Sequence, residues 1–219
     1  GYSHHYFSIS LIKIHIFLFN LTIGGYMILK FKDSSQKEES LAVLYLLLSI
    51  FYTIAIIFQF YIIAIAITLV LIVIIEIIKF NKYSMNPFII IKHSTSVSDK
   101  FHISALLCLS LALISSIGII LNNHYFHWLY NTKLSLEILF LGFSFPLSLT
   151  IFSLIFSLSK KAKCIVTIIL VHISFWTIML GVGLLFIFIL LKYFYLKSSM
   201  GIILLLTLVY IFYFVLTKI

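Results

Sequence analysis

The fold class is decided by residues 41–78, which read LAVLYLLLSIFYTIAIIFQFYIIAIAITLVLIVIIEII. One of these residues, Glu76, carries a formal charge at neutral pH. About 20 consecutive apolar residues are enough for an α-helix to cross the hydrocarbon core of a bilayer. The stretch is therefore typical of membrane-spanning helices and not of the interior of a water-soluble domain.

The rest of the chain has the same character. Of its 219 residues, 63% are hydrophobic and 10% are charged, and the mean hydropathy is +1.23. A core built from so few residues cannot shield this much apolar surface from water, so the chain must be solvated by lipid. The composition predicts an all-α, polytopic integral membrane helix bundle that forms a single transmembrane domain over residues 1–219. We expect it in a bacterial inner (plasma) membrane or in an organelle membrane.

The length of the quoted stretch indicates two helices. At 1.5 Å per residue, a single helix over residues 41–78 would measure roughly 57 Å, against a hydrocarbon core of roughly 30 Å. We expect a tight turn near Gln59, Phe60 and Tyr61, although neither glycine nor proline marks it. With that turn, the apolar stretches predict seven transmembrane helices, at about residues 6–29, 41–58, 61–78, 102–121, 134–159, 164–191 and 199–217.

The distribution of lysines predicts the orientation of these helices. All 15 basic residues are lysines, and they lie mainly between the apolar stretches. Seven helices put eleven of them on one membrane face and three, Lys133, Lys192 and Lys197, on the other. This asymmetry follows the positive-inside rule and predicts the N-terminus outside and the C-terminus inside. Topology thus accounts for the net charge of +9, and no nucleic-acid partner is predicted.

The sequence contains no motif that assigns an enzyme class. It has no His-Glu-x-x-His motif, no phosphate-binding loop and no dinucleotide-binding fingerprint. No catalytic residue is therefore assigned. The two cysteines, Cys108 and Cys164, do not have the spacing of a metal site and imply no disulfide framework.

Two histidines inside predicted spans give the first functional hypothesis. Imidazole is unfavourable against lipid, so His15 in helix one and His172 in helix six should face the bundle interior. By helical rise, His15 lies about 14 Å from the outer end of its helix, and His172 about 12 Å from the inner end. Within a core of roughly 30 Å they can reach the same depth. This placement suits axial ligation of a b-type haem. The alternative is that each imidazole makes one interhelical hydrogen bond.

Four further histidines fall on the predicted outer face: His4, His5, His124 and His127. The His124-x-x-His127 spacing can put two imidazoles on one side of a helical turn, and His4 or His5 can add a ligand. Copper or zinc could be bound by such a group. The alternative is that these are solvated loop histidines.

Other features point towards transport. Lys13 and Glu137 are predicted inside the membrane near the outer ends of helices one and five, where they can pair or reach water. Pro146 lies within predicted helix five and is expected to kink it.

Helices one and six resemble each other in sequence. Gly24 follows His15 by nine residues, and Gly181 follows His172 by nine residues. In the predicted topology the two segments run in opposite directions, as in the inverted repeats of transporters. The alternative is a chance match in a chain rich in isoleucine, leucine and phenylalanine.

The leading hypothesis is an integral membrane protein that binds haem b or copper between helices one and six, for electron transfer or cofactor handling. The alternative is a small membrane transporter or a non-catalytic membrane subunit of a larger complex. A row of small residues in helix four offers a close packing surface for the latter, at Ser104, Cys108, Ala112 and Ser116. The expected partners are the lipid bilayer and other membrane subunits.

Overall fold

The computed structural model describes residues 18–32, 35–83, 90–91, 95–128, 143–159, 165–191 and 193–218. Of these residues 91% are helical, and no strand occurs among them. The all-α class expected from the composition is therefore confirmed for the described part of the chain.

The described residues form seven helices. They are α1, a π-helical turn Leu18–Gly24 that continues as α-helix Gly25–Lys30; α2, Gln36–Ile57; α3, Tyr61–Tyr83; α4, Val97–Leu121 with a π-helical turn Asn122–Phe126; α5, Ser144–Leu158; α6, Ile165–Leu190; and α7, Phe194–Lys218. Five of them, α2, α3, α4, α6 and α7, are long and apolar enough to cross a membrane. The described parts of α1 and α5 are shorter, so seven spans and their orientation stay predictions.

The long apolar stretch is divided at the expected turn. Gln59 has a φ of 61°, in the left-handed region that glycine usually occupies at the end of a helix. The N–H of Phe60 donates to the carbonyl of Ala55 at 2.8 Å, and the N–H of Gln59 donates to the carbonyl of Ile56 at 3.1 Å. These two bonds form a Schellman motif, which satisfies the last carbonyls of α2 and ends the helix without glycine or proline.

Serine caps set the starts of α2 and α4. The Ser35 hydroxyl accepts from the Glu38 N–H at 3.3 Å, and the Glu38 carboxylate accepts from the Ser35 N–H at 3.2 Å, which makes a capping box. At α4, the Asp99 N–H donates to the Ser96 hydroxyl at 3.1 Å. Ser96 is therefore the N-cap residue of α4.

The helices group into two compact units. Unit 1 comprises Gly1–Pro87 and Ala105–Thr150, and unit 2 comprises Phe88–Ser104 and Ile151–Ile219. Helices α4 and α5 each contribute to both units. Residues 101–106 of α4 are all buried, so this stretch of the helix is covered on every side.

In unit 1, helix α2 packs closely against α1. Tyr45 of α2 is fully buried, and its hydroxyl donates to the carbonyl of Leu21 at 3.3 Å. A Cβ atom added to Gly25 would lie 2.5 Å from the Tyr45 ring. Helices α1 and α2 therefore approach closely at Gly25, where hydrogen is the one side chain that fits.

The tight Gly25 contact gives the first stability prediction. We expect Gly25→Ala to lower the free energy of unfolding by about 1–3 kcal/mol, because the new methyl group must displace a fully buried ring. Gly118→Ala is the matched control on α4, since a Cβ atom added there would meet no heavy atom within 4 Å. There we expect a gain of up to about 1 kcal/mol. Thermal unfolding of both variants in the same detergent measures the difference, and equal midpoints would contradict it.

In unit 2, contacts join α4 to α5 and α6 to α7. The Ser98 hydroxyl donates to the carbonyl of Ser153 at 2.8 Å, and the Ser153 hydroxyl donates to the carbonyl of Ser98 at 2.7 Å. The start of α4 therefore lies beside the second half of α5. Helix α6 packs along α7, where a Cβ atom added to Gly181 would lie 2.8 Å from Leu204. Helices α6 and α7 therefore approach closely at Gly181, whereas a Cβ atom added to Gly183 would meet no heavy atom within 4 Å.

Many large apolar side chains on the helices point away from the chain. On α7, Leu206 and Phe212 are 63% and 66% exposed. Water-soluble monomers rarely expose apolar patches of such extent. These surfaces are compatible with contact to a lipid bilayer, as the composition predicts.

Candidate functional site

Five of the predicted site residues fall outside the described part of the chain. They are His4, His5, Lys13, His15 and Glu137. The pairing of His15 with His172 and that of Lys13 with Glu137 therefore stay predictions. Pro146 is described and lies in the first turn of α5, where a missing N–H removes no intrahelical hydrogen bond.

The two described histidines of the predicted outer face lie close enough to interact electrostatically. The ring of His124 stacks on Tyr61, with centroids 3.7 Å apart, and His127 has a left-handed φ of 53°. Within the described residues, no group of three His, Cys, Asp or Glu side chains is placed to hold a metal ion. The metal hypothesis needs the N-terminal histidines, which lie outside those residues, and it stays a prediction.

His172 lies beside a lysine of helix α4. The Nζ atom of Lys100 is 3.5 Å from Nδ1 of His172, at the long end of hydrogen-bond distance. Lys100 is 2% exposed and His172 is half-buried. His172 follows Ile165, the first residue of α6, by seven positions, or about 10 Å of helix. The pair thus brings two ionisable groups together within candidate membrane-spanning helices.

Carboxylates in the described part of the chain do not neutralise this pair. The ion pairs found there both lie in unit 1, and neither includes Lys100. The Asp99 carboxylate, next along α4, accepts from the Ser96 hydroxyl that caps the helix. Helix α5 contains no ionisable side chain, and the only ionisable side chain in α6 is that of His172. Among the described residues, Lys100 is therefore a buried basic group without a carboxylate partner, in an apolar helical environment.

A cluster of aromatic rings begins at the residue that follows Lys100. Phe101, next to Lys100, packs edge-on against Phe175 of α6 with centroids 5.0 Å apart. It also contacts Phe152 and Phe156 of α5 at 5.4 and 5.5 Å. The rings form an apolar contact between α4, α5 and α6.

One turn further along α4 lies a buried hydroxyl with no partner. Ser104 is fully buried, and its Oγ atom makes no hydrogen bond within the described structure. Residues four apart share a helix face with Cβ atoms about 6 Å apart, so Ser104 lies on the same face as Lys100. In the predicted small-residue row, Ser116 is also fully buried, whereas Cys108 and Ala112 are half-buried.

Unit 1 holds a second intramembrane charge, which is satisfied. Glu76 forms the expected ion pair with Lys79, and its carboxylate also accepts from the Ser110 hydroxyl of α4 at 3.0 Å. A carboxylate with both a counter-charge and a hydrogen-bond donor is typical of a structural role.

The resemblance between helices one and six stays a prediction. A Cβ atom added to Gly24 would meet Leu147 of α5 at 3.4 Å, whereas one added to Gly181 would meet Leu204 of α7. The neighbouring Gly25 packs on α2 at Tyr45.

Sequence reasoning identifies His172 but not its neighbours. It puts Lys100 in an inner loop, because hydropathy alone starts helix four at residue 102. A capping serine, Ser96, followed three positions later by Asp99, is the signal that places the start earlier and Lys100 inside the helix. Ser104 counts in the sequence as one of several small packing residues, and nothing local distinguishes it from the others.

No family model, curated protein or solved structure matches this chain. Function must therefore be inferred from its own residues. In unit 2, Lys100, His172 and Ser104 combine a buried amine, a half-buried imidazole and a buried hydroxyl that has no partner in the described structure.

Proposed function

We propose that this chain is an integral membrane transporter that moves protons, together with a solute, by way of Lys100 and His172. The observation that carries the proposal is the 3.5 Å approach of the Lys100 amine to the His172 ring within apolar helices. Ionisable residues inside membrane helices are costly, and they commonly mark ion pathways and proton relays. The five long apolar helices support the membrane setting.

The charge states of the pair give it a way to exchange protons. A lysine ammonium and a histidine imidazolium at this distance repel each other, and the apolar surroundings deprive both of hydration. The pair therefore holds one positive charge more readily than two. It can take up a second proton when a counter-charge arrives and release that proton when the counter-charge leaves. Such an exchange couples the movement of a proton to the movement of a solute.

The test of transport uses the purified full chain in liposomes. The vesicles contain potassium chloride and a pH-sensitive dye, and valinomycin holds the membrane potential at zero while the external pH is stepped. We expect the internal pH to follow the step several-fold faster than in protein-free vesicles. Equal rates in the two preparations would contradict the proposal.

A second candidate is the binding of haem b or copper by His172, and the same contact supports it in another protonation form. When a histidine binds a metal through one ring nitrogen, its other ring nitrogen usually donates a hydrogen bond to a neighbouring group. If a neutral Lys100 amine accepts from Nδ1–H, the lone pair of Nε2 is available to a metal. If a Lys100 ammonium donates to Nδ1, the neutral ring carries its proton on Nε2 and cannot ligate there. The second ligand of this hypothesis, His15, lies outside the described residues.

The haem candidate predicts a visible spectrum. The chain, expressed with full haem supply and purified in detergent, should show a Soret band and sharpened α and β bands after reduction with dithionite. These bands should be lost in His172→Ala and kept in His124→Ala, whose ring stacks on Tyr61 in unit 1. A featureless spectrum in a preparation without bound copper would remove both cofactors.

A further inference from the structure

We infer that Lys100, Ser104 and His172 bind a small monovalent anion of the size of chloride, and that this anion is the solute that accompanies the proton. The inference rests on the proposed transport function and names the substrate class of the same site. It is carried by two observations, a buried amine beside an imidazole and a buried hydroxyl without a partner on the same helix face.

The first observation requires a counter-charge. Lys100 is almost completely buried, and within the described residues the one polar side chain that contacts its amine is the imidazole of His172. Burying a charge is costly unless it is paired. The neighbouring ionisable groups on α4 do not pair with it, since Asp99 bonds to the helix cap and His102 is buried elsewhere on the helix surface. An anion beside the amine supplies the missing charge.

The second observation indicates where that anion lies. Buried hydroxyl groups in proteins nearly always have a hydrogen-bond partner, and an exception points to a water molecule or ion. Ser104 is such an exception within the described structure, and it lies one helical turn from Lys100. Its hydroxyl can donate to an acceptor that the ammonium also contacts. An anion on this face would therefore satisfy both side chains.

The donor set also limits the charge and coupling of the ligand. An ammonium, a hydroxyl and an imidazole N–H are all hydrogen-bond donors, and one ammonium neutralises one negative charge. While the imidazole is neutral, a divalent anion such as sulfate would leave a buried net negative charge. A bound monovalent anion neutralises the Lys100 ammonium. Protonation of His172 then adds the one unpaired positive charge of the site, where without the anion it would add a second. Anion and proton thus favour each other's binding at this site.

The binding test uses a tryptophan that lies one turn from His172 on α6. Trp176 is in edge contact with Phe175, at a centroid distance of 5.2 Å. The second tryptophan of the chain, Trp128, is 77% exposed and can be replaced, so the Trp128→Phe protein reports on Trp176. The protein, purified in sodium gluconate, is titrated with sodium chloride at constant ionic strength. We expect a saturable change in Trp176 fluorescence, and no such change with sodium sulfate.

Variants assign the response to the site. Ser104→Ala should weaken chloride binding roughly tenfold, because one donor is lost, and Lys100→Met should abolish it. Ser104→Ala removes an unpartnered hydroxyl and therefore keeps the fold. The matched control is Ser174→Ala, a buried serine on α6 whose hydroxyl already donates to the carbonyl of Leu170 at 2.8 Å. An unsaturable response, an equal response to sulfate, or unchanged affinity in Ser104→Ala would overturn the inference.

Binding and transport fail separately in these experiments. Saturable chloride binding in a chain that moves no protons would retain the anion site and reject transport. Proton movement without saturable chloride binding would retain transport and reject the anion. Chloride-coupled proton transport requires two further results. The rate of proton uptake by the vesicles must fall when gluconate replaces chloride. Vesicles with Ser104→Ala, which take up protons slowly in chloride, must show no further fall.

Discussion

Replacing Phe101 by alanine is expected to lower the free energy of unfolding by about 3 kcal/mol. The ring is fully buried and contacts Phe152, Phe156 and Phe175, which belong to α5 and α6. In lipid the transfer of apolar surface between helices contributes little, so the loss comes from the contacts and from the cavity that remains. We place the value at the lower end of the range for buried phenylalanines for this reason.

The control for Phe101 is the same substitution on a surface that faces away from the chain. Phe212 on α7 is 66% exposed, and Phe212→Ala should change the free energy of unfolding by less than about 0.5 kcal/mol. Denaturant titration in one detergent, followed by far-ultraviolet circular dichroism, compares the two variants. Similar losses in both would show that the ring cluster does not hold α4, α5 and α6 together.

Lys100→Met and His172→Phe are each expected to reduce proton flux into vesicles to the protein-free rate. Each variant removes one member of the pair and keeps an apolar side chain of similar size. Because both residues serve one exchange, the double variant should be no slower than either single variant. Additive losses would indicate that the two residues act independently.

A lysine elsewhere in unit 2 controls for the loss of a positive charge. Lys197 on α7 is half-buried and lies over the ring of Phe194 at 5.1 Å. Lys197→Met should keep the wild-type flux, because its charge is not held next to a titratable partner. A comparable loss in this variant would contradict a specific role for Lys100.

The helices of this chain can be predicted because hydropathy reports directly on lipid solvation. The turn at Gln59 can be placed by comparing the length of residues 41–78 with the thickness of a bilayer. The way in which the turn ends α2 cannot be predicted, because the left-handed φ of Gln59 and the two backbone hydrogen bonds are not indicated by the residue types. Hydropathy places the start of α4 five residues too late, since the first turn of that helix contains Asp99 and Lys100 and looks polar.

The candidate site can be predicted in part. The membrane cost of an imidazole singles out His172, and helical spacing gives the Glu76–Lys79 pair. The contact between Lys100 and His172 joins residues 72 positions apart, and such a contact depends on how α4 and α6 pack. The absence of a described hydrogen-bond partner for Ser104 also depends on how the helices pack, so it cannot be predicted from the local sequence.

The most direct test of a coupled Lys100–His172 pair is the titration of His172 by ¹⁵N NMR. Histidine-labelled protein in lipid nanodiscs is titrated with and without the Lys100→Met substitution, and the His172 signals are assigned by their loss in His172→Phe. We predict that the titration midpoint of His172 differs between the two proteins by about one pH unit or more, while that of His124 is unchanged. The same midpoint for His172 in both proteins would contradict the pair and the transport site built on it.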